Sequence, residues 1–274
     1  MPELPEVETV RRTLEELVIG KTIESVEIAW SNIIKRPADT VEFTTELKGQ
    51  TIRSMKRRGK FLLFEMDDIV MVSHLRMEGR YGVYKQEDAP VPHTHVTFLF
   101  SDGLELRYQD VRKFGTMHLF EKGKEEEDMP LLQLGVEPFS GNFTVELLKE
   151  ASKRTTRKIK PFLLDQKTVV GLGNIYVDEA LFRSKIHPER LANSLSENEY
   201  TLLHSKIVET LSQAVKLGGS SVKSYVNGQG EMGMFQQTLE VYGRKNEPCK
   251  QCNDTIVRIV VGGRGTHYCP TCQA

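Results

Sequence analysis

All four cysteines of the chain lie close to its C-terminal end, in two pairs whose members are separated by two residues. The pairs are Cys249 with Cys252 and Cys269 with Cys272. This spacing lets two tight turns bring four thiolates to one tetrahedral zinc ion, whereas disulfide bonds would need an oxidising compartment that no other feature supports. Because four thiolates leave no coordination position for water, we expect a structural zinc, with any catalysis elsewhere.

The chain is long enough for two domains of ordinary size. Its 274 residues are 39% hydrophobic and 27% charged, which is typical of a globular protein. The longest apolar runs fall well short of the roughly 18 residues of a membrane span, and the charged first turn does not resemble a signal peptide. We therefore expect a cytoplasmic protein that does not contact membranes.

The hydrophobic pattern changes along the chain. Residues 3–18 place apolar side chains on one face of a helix that ends at Gly20. Between Thr22 and about Phe120, short apolar or alternating runs predict the strands of a sandwich or barrel. An acidic stretch containing prolines, residues 122–138, predicts a linker. The predicted strands are 23–28, 61–64, 69–72, 96–100 and 104–108, and helical patterns follow at 144–151, 159–165, 174–184 and 196–217.

These changes divide the chain into four parts. The first domain covers residues 1–130, a helical domain covers 131–217, a glycine-rich loop covers 218–240 and the zinc module covers 241–274.

The net charge of −1 argues weakly against a nucleic-acid partner. Its distribution matters more, because residues 56–60 and 153–160 are densely basic while residues 125–128 are acidic. A charged run is most often a solvated surface. Two such runs beside a basic C-terminal module nevertheless favour a polyanionic partner.

The first residues can themselves be catalytic. Removal of Met1 would give Pro2 a free secondary amine, which attacks a sugar aldehyde carbon to form an iminium that cannot lose its charge by deprotonation. Such amines titrate near pH 8, well below lysine, so more of the nucleophile is unprotonated at neutral pH. Glu3 is a candidate acid or base beside it. The alternative, that Pro2 merely precedes a helix, stays open from these residues alone.

Three basic or amide side chains are candidate phosphate ligands. Lys60 follows a glycine, so it can emerge from a turn at a strand start, although a solvated lysine is the commoner case. Asn174 begins a predicted helix just after Gly171 and Gly173, where backbone amides can approach a phosphate; a turn that simply needs glycine is the alternative. Arg264 lies between glycines at the tip of the zinc hairpin, where a permanently charged guanidinium suits a phosphate.

Other side chains are candidates for probing a base stack. Arg112 stands two residues before Phe114, which suits filling a gap in the stack while pairing with an orphaned base. Met77 is a further candidate wedge, and core packing is the alternative for Phe114 and Met77. His93 and His95 alternate on a predicted strand and are expected to face the same side, one of them contacting a phosphate rather than a metal.

Taken together, these segments resemble the formamidopyrimidine-DNA glycosylases, bacterial base-excision repair enzymes for oxidised purines, from one end of the chain to the other. The start also resembles the sister endonuclease VIII group, but members of that group typically have glycine in place of Leu4. The resemblance implies an α+β fold: an N-terminal helix plus β-sandwich domain, then a helix-two-turn-helix domain with a C-terminal zinc-finger β-hairpin. The matching segments are Pro2–Thr9, Arg58–Lys60, Ser73–Gly79, Asp110–Gly115, Gly171–Glu179 and Arg264–Cys269.

The resemblance also implies a role for each candidate. Pro2 attacks the sugar carbon of the damaged nucleotide and Glu3 serves as acid and base. The damaged base is flipped out of the duplex, and the glycine-rich loop closes over it as a lid, with a disordered linker as the alternative for that loop. Lys60 and Arg264 are implied to be catalytic as well, because they engage the flanking phosphates and assist the eliminations. The implied void fillers are Met77, Arg112 and Phe114, and the other implied phosphate contacts are His93, Lys160 and Asn174.

The expected function is therefore that of a bifunctional glycosylase and lyase with one structural zinc, acting as a monomer on damaged double-stranded DNA in the nucleoid. It would excise 8-oxoguanine and formamidopyrimidines and nick the strand by β,δ-elimination. One rival is a catalytically silent damage-binding protein, against which the presence of Pro2 and Glu3 argues. A second rival is an enzyme that prefers oxidised pyrimidines.

Overall fold

The computed structural model describes residues 1–220 and 233–274. The chain divides into two compact units. Unit 1 comprises Met1–Leu132 and Gly218–Gly233, and unit 2 comprises Gln133–Leu217 and Met234–Ala274. Most of the loop expected at 218–240, including its lid, lies at residues 221–232, outside the described residues.

Unit 1 begins with helix α1 (Leu4–Val18), as the apolar spacing predicts. Pro5 lies in its first turn, where the missing backbone N–H costs no helical hydrogen bond. The helix buries one face in the core of unit 1, so burial of the apolar stripe holds the N-terminal segment in place. The fully or almost fully buried apolar residues of this face are Leu4, Val7, Val10, Leu14 and Val18.

Two sheets form the β-sandwich of unit 1. One has the strand order β1-β7-β8-β6 and the other has the order β2-β9-β5-β4-β3. All of the pairings are antiparallel except that of β2 with β9. The strands are β1 (Ile23–Ile28), β2 (Ile34–Arg36), β3 (Ser54–Arg58), β4 (Phe61–Glu65), β5 (Ile69–His74), β6 (Arg80–Lys85), β7 (Thr94–Phe100), β8 (Leu104–Gln109) and β9 (Thr116–Glu121), with helix α2 at Thr40–Leu47.

Unit 2 is helical and ends in the cysteine-bearing hairpin. Thr144 caps the first helix by accepting a hydrogen bond from Leu147 N, and Ser196 caps the last by accepting one from Glu199 N. The elements are α3 (Val145–Lys153), α4 (Ile159–Leu164), α5 (Asn174–Arg183), α6 (Glu197–Lys216), β10 (Val257–Val261) and β11 (Arg264–Tyr268). The predicted α+β class, with its sandwich, helical domain and C-terminal hairpin, is confirmed.

The structure also contains elements that the hydrophobic pattern does not predict individually. They are α2, β2, β3, β6 and β9, and β3 coincides with much of the basic run at 56–60. In β3 only Met55 is fully buried, so alternation is too weak to reveal the strand. Throughout residues 1–220 and 233–274, every helix is too short or too polar to cross a bilayer.

Candidate functional site

The first residues of unit 1 are held firmly at the start of α1. Pro2 is buried and Glu3 is only 2% exposed, whereas Met1 is 45% exposed. The Glu6 carboxylate accepts hydrogen bonds from Glu3 N at 2.9 Å through Oε2 and from Ser220 N at 2.7 Å through Oε1. A buried acid therefore fixes the backbone beside Pro2 and links it to Ser220.

Lys60 occupies the turn between β3 and β4, where the sequence places it. Its side chain is 6% exposed. Arg57 donates to the carbonyl of Gly59 at 2.9 Å and so fixes the turn. Burial lowers the pKa of the neighbouring His74 to about 3, and the charges of Arg76 and Lys60 add to this effect. His74 is therefore neutral, and it accepts a hydrogen bond from Arg76 N through Nδ1 at 2.8 Å.

Two connections in unit 1 carry the expected wedges. Met77 is half-buried in the turn between β5 and β6. Arg112 and Phe114 are exposed in the connection between β8 and β9, where the Arg112 Cζ atom lies 4.8 Å from the centroid of the Phe114 ring. Phe114 is 51% exposed and is therefore not a core residue, so the core-packing alternative for Phe114 is wrong.

The expected placement of the two histidines on one face of a strand is wrong. Strand β7 begins at Thr94, and His93 precedes it with a left-handed φ of 63° and an exposed side chain. His95 is buried, and its Nε2 lies 2.8 Å from the carbonyl oxygen of Asp110. The turn before β7 breaks the alternation, so that His93 is open to a ligand and His95 serves the core.

In unit 2, Asn174 and Lys160 converge on the residue after Arg264. Asn174 is the first residue of α5, and its Nδ2 donates to the carbonyl of Gly265 at 2.9 Å. The Nζ of Lys160 donates to the same carbonyl at 3.1 Å and to Asp178 at 2.7 Å. The exposed Arg264 starts β11, so these contacts fix the backbone of the residue that follows Arg264.

Lys160 is completely buried, which conflicts with the implied direct phosphate contact. An ammonium that is ion-paired with Asp178 and removed from solvent would have to leave that pair to reach a phosphate. The rest of the run at 153–160 is also largely neutralised locally: Lys153 pairs with Glu150, Arg157 with Asp165 and Lys158 with Glu189. The density of basic residues in the sequence therefore overstates the positive charge that this segment presents.

The four cysteines converge as their spacing predicts. Their sulfur atoms all lie within 4.8 Å of one another. The Sγ atoms of Cys249 and Cys272 are 3.9 Å apart, and those of Cys252 and Cys269 are 3.5 Å apart. Tetrahedral zinc with bonds of about 2.3 Å requires sulfur separations of roughly 3.8 Å, so the donor set fits one structural zinc ion. The module extends into a hairpin whose turn, Gly262–Gly263, has positive φ at both residues, as a two-residue turn between paired strands favours.

Three buried acids that contact candidate residues within their own unit were not singled out from the sequence: Glu6, Asp110 and Asp178. Glu6 stands three residues after Glu3 at a helix start, which is a recognisable capping position. Asp178 interrupts the apolar sequence of α5, and an acid in such a helix indicates a buried partner. Asp110 is 1% exposed and accepts backbone hydrogen bonds from the connection that follows it.

Comparison with family models matches nearly the whole chain. The formamidopyrimidine-DNA glycosylase N-terminal domain matches residues 1–117, and the corresponding H2TH domain matches residues 134–226. Residues 246–274 match the zinc finger found in FPG and IleRS.

Individual proteins give the same result. The formamidopyrimidine-DNA glycosylase of Cytobacillus firmus is 72% identical, with 100% of both chains covered, and that of Bacillus subtilis is 61% identical, with 100% of this chain and 99% of the relative covered. A solved complex between a Lactococcus lactis FPG mutant and DNA containing Fapy-dG is 44% identical with a TM-score of 0.94, and MutM in complex with DNA containing carbocyclic 8-oxo-G is 45% identical with a TM-score of 0.93. Each of these alignments covers 99% of both chains.

Proposed function

The chain belongs to the formamidopyrimidine-DNA glycosylase family, and we propose that it excises oxidised purines from duplex DNA and then nicks the strand through Pro2. The observation that carries this proposal is the buried pair Pro2–Glu3, whose backbone is held by Glu6 while Met1 stays exposed. Removal of an exposed Met1 would uncover the amine without disturbing the core. The damaged-DNA substrate is also supported by the DNA-bound relatives.

The proposed reaction begins with a nucleophilic attack by the Pro2 nitrogen on C1′ of the damaged nucleotide. The glycosidic bond breaks and its electrons leave with the base, which takes up a proton. The sugar ring then opens as the nitrogen forms an iminium with C1′, and the ring oxygen receives a proton. Glu3 is the group proposed to donate and accept these protons.

The iminium then drives strand scission. Its positive charge acidifies the C2′–H bond, and loss of that proton expels the 3′ phosphate as the C3′–O bond breaks. In a second elimination, loss of the C4′ proton expels the 5′ phosphate as the C5′–O bond breaks. Water then hydrolyses the iminium, which releases the unsaturated sugar aldehyde and regenerates the Pro2 amine. No step needs a metal with an open coordination position, and a zinc ion held by the four cysteines would stabilise the hairpin that carries Arg264.

The remaining residues are proposed to hold and deform the duplex. Arg112, Phe114 and Met77 would fill the space left by the flipped nucleotide, since base flipping costs a few kcal/mol that such contacts offset. Phosphate contacts are proposed for Lys60, His93, Asn174 and Arg264. Lys160 is proposed to position the Arg264 backbone instead of contacting DNA.

Borohydride trapping tests this proposal. Protein from which Met1 has been removed is mixed with a duplex that contains one 8-oxoguanine opposite cytosine, then reduced, and the attachment site is mapped by mass spectrometry. We expect an adduct at Pro2, no adduct with Pro2→Gly, and base release impaired by Glu3→Gln. An adduct at a lysine would overturn the assigned nucleophile.

Two alternatives are separated by the same assay. A relative from Lactococcus lactis was solved with DNA containing an oxidised pyrimidine, so a matched duplex bearing that lesion class is run in parallel. Faster release of the pyrimidine would overturn the proposed preference. Tight binding to both duplexes without base release or adduct would indicate a silent damage-binding protein. Sedimentation of the complex tests the accompanying proposal that the protein acts as a monomer.

A further inference from the structure

The connection between β8 and β9, which we call the probing loop (residues 110–115), is organised by one carboxylate. Asp110 Oδ1 accepts a hydrogen bond from Arg112 N at 3.0 Å. Its Oδ2 accepts from Phe114 N and Gly115 N, both at 2.8 Å. These strands belong to different sheets, so the loop has no ladder of its own, and charge-assisted bonds to a buried acid take the place of one.

The hydroxyl of Tyr108 contacts this carboxylate from within the core of unit 1. Tyr108 is completely buried, and its Oη donates to Asp110 Oδ2 at 3.4 Å. Burial, together with the charge of Asp110, raises the pKa of Tyr108, so the hydroxyl stays protonated and remains a donor. A phenylalanine ring would fill the same apolar space in the core. What the tyrosine hydroxyl adds is therefore the hydrogen bond to the carboxylate that organises the loop.

The same hydroxyl also contacts the turn that carries Met77, which we call the Met77 turn (residues 75–79). A Cβ atom added at Gly115 would lie 1.8 Å from the Tyr108 Oη, and one added at Gly79 would lie 2.2 Å from it. Both glycines therefore lie against one oxygen atom, where no side chain fits. Gly79 also closes the Met77 turn through a hydrogen bond from its N–H to the carbonyl of Leu75 at 2.9 Å.

The probing loop is strained and exposed, so it needs such support. Lys113 has a left-handed φ of 58° and Phe114 exposes half of its surface. Its side chains are already arranged: Arg112 lies over the Phe114 ring, and the Lys113 Nζ lies 4.2 Å from the centroid of the Trp30 ring. Trp30 is the single tryptophan of the chain, so its fluorescence reports on the loop.

We infer that Tyr108 and Asp110 together hold the probing loop and the Met77 turn in one fixed arrangement. Tyr108 and Asp110 are therefore positioning residues for lesion recognition in duplex DNA. The inference rests on the proposed function, because the two wedges matter only if a nucleotide is flipped. Because the probing loop and the Met77 turn both contact the buried Tyr108 hydroxyl, they would move together. The side chains of Met77, Arg112 and Phe114 would then enter the base stack as a unit. Neither residue is proposed to contact DNA.

The test compares Tyr108→Phe with Tyr81→Phe. Tyr81 is a matched control, since it is a buried tyrosine of the same core whose ring centroid is 5.0 Å from that of Tyr108, but its hydroxyl bonds to Ser73 at 2.8 Å. Each variant is assayed for excision of 8-oxoguanine from duplex DNA and for nicking of an abasic site in single-stranded DNA. The single strand has no opposing base and therefore no gap in a duplex for the wedges to fill. We expect Tyr108→Phe to slow duplex excision on the order of 10- to 100-fold while single-strand nicking is unchanged.

Selective excitation of Trp30 provides a second readout without DNA. The emission of Tyr108→Phe should shift towards that of Lys113→Gln, in which the cation beside the indole is absent, whereas the emission of Tyr81→Phe should match the wild type. Asp110→Asn should show a larger shift, because its amide group cannot accept all three N–H bonds. Thermal melting verifies that each variant is folded. If Asp110→Asn does not fold, the comparison of Tyr108→Phe with Tyr81→Phe tests the inference without it.

Equal losses of duplex excision in Tyr108→Phe and Tyr81→Phe would overturn the inference that Tyr108 and Asp110 hold the two segments together. Equal losses of activity on duplex and single-stranded DNA in Tyr108→Phe would overturn it as well. An unchanged Trp30 emission in Tyr108→Phe would do so as well. Failure of the proposed function is distinct, because the wild-type protein would then give no borohydride adduct at all, while the fluorescence comparison could still succeed.

Discussion

The ammonium group of Lys160 lies 2.7 Å from the carboxylate of Asp178, and neither side chain is exposed to solvent. The other carboxylate oxygen of Asp178 accepts a hydrogen bond from His267 N at 2.8 Å, and Lys160 also donates to the carbonyl of Gly265. One ion pair thus joins α4, α5 and β11. Its geometry explains how a hairpin tip with two consecutive glycines can still present Arg264 in a defined position.

Asp178→Asn should destabilise unit 2 strongly. The substitution leaves the Lys160 ammonium buried without its counter-charge, which costs about 3–5 kcal/mol of unfolding free energy. Urea unfolding followed by the far-ultraviolet circular dichroism of the helices measures this loss. Glu189→Gln is the matched control, because it breaks the exposed pair with Lys158 and should cost at most about 1 kcal/mol. Similar losses for the two variants would contradict the energetic importance of the buried pair.

Lys160 also shows where prediction from the sequence stops. The four cysteines, the helix of residues 3–18 and the turn at Lys60 follow from spacing and periodicity, which are local properties of the sequence. The partner of Lys160 lies on another helix, and pairing over that separation leaves no local pattern. For the same reason the basic run at 153–160 suggests an open positive surface, although its neighbours neutralise much of it.

His93 shows a different limit. His93 is in the left-handed conformation immediately before β7, so it lies outside the strand and does not share a strand face with His95. Sequence alternation alone cannot reveal such a residue, because histidine tolerates positive φ without a glycine to mark it. The role of the Asp110 carboxylate cannot be read from the sequence either, because the three N–H groups that it binds are backbone amides, which are present whatever the side chains are.

Glu6→Gln should slow formation of the Pro2 adduct. Only one oxygen would remain to serve the N–H groups of Glu3 and Ser220, and an unsatisfied buried donor costs about 1–3 kcal/mol. The measurement is the rate of borohydride trapping on the 8-oxoguanine duplex, where we expect a loss on the order of tenfold. Glu15→Gln is the control on the same helix, because Glu15 is half-exposed and pairs with Arg11. Equal trapping rates in the two variants would refute the positioning role of Glu6.

His74 should make unit 1 less stable in mild acid. Its pKa is about 3 in the folded chain against 6.5 for the free group, so the unfolded chain binds more protons once the pH falls below 6.5. Stability is therefore present at neutral pH and is lost progressively as the pH falls from 6.5 towards 3. Between pH 7.5 and 5.5 the loss due to His74 is about 1.4 kcal/mol.

Urea unfolding followed by Trp30 fluorescence measures this dependence at both pH values. The matched variant is His74→Asn, whose side-chain oxygen can still accept from Arg76 N but does not titrate. Its stability should fall less than that of the wild type between the two pH values, by the His74 contribution. Parallel pH profiles for the two proteins would contradict the buried, neutral state of His74.

Removal of zinc should weaken duplex binding through Arg264. The hairpin module shares only a small core with Phe182 of α5, made by that side chain with Val241, Ile256 and the cysteines, so it depends on the metal for its structure. Cys249→Ser and Arg264→Gln should therefore each weaken duplex binding and reduce the salt dependence of affinity by about one phosphate contact. If the zinc acts mainly by positioning Arg264, the double variant should bind little worse than Cys249→Ser alone. Additive losses would instead show that the hairpin contacts DNA through other groups, and normal binding by Cys249→Ser would rule out the structural role of the zinc.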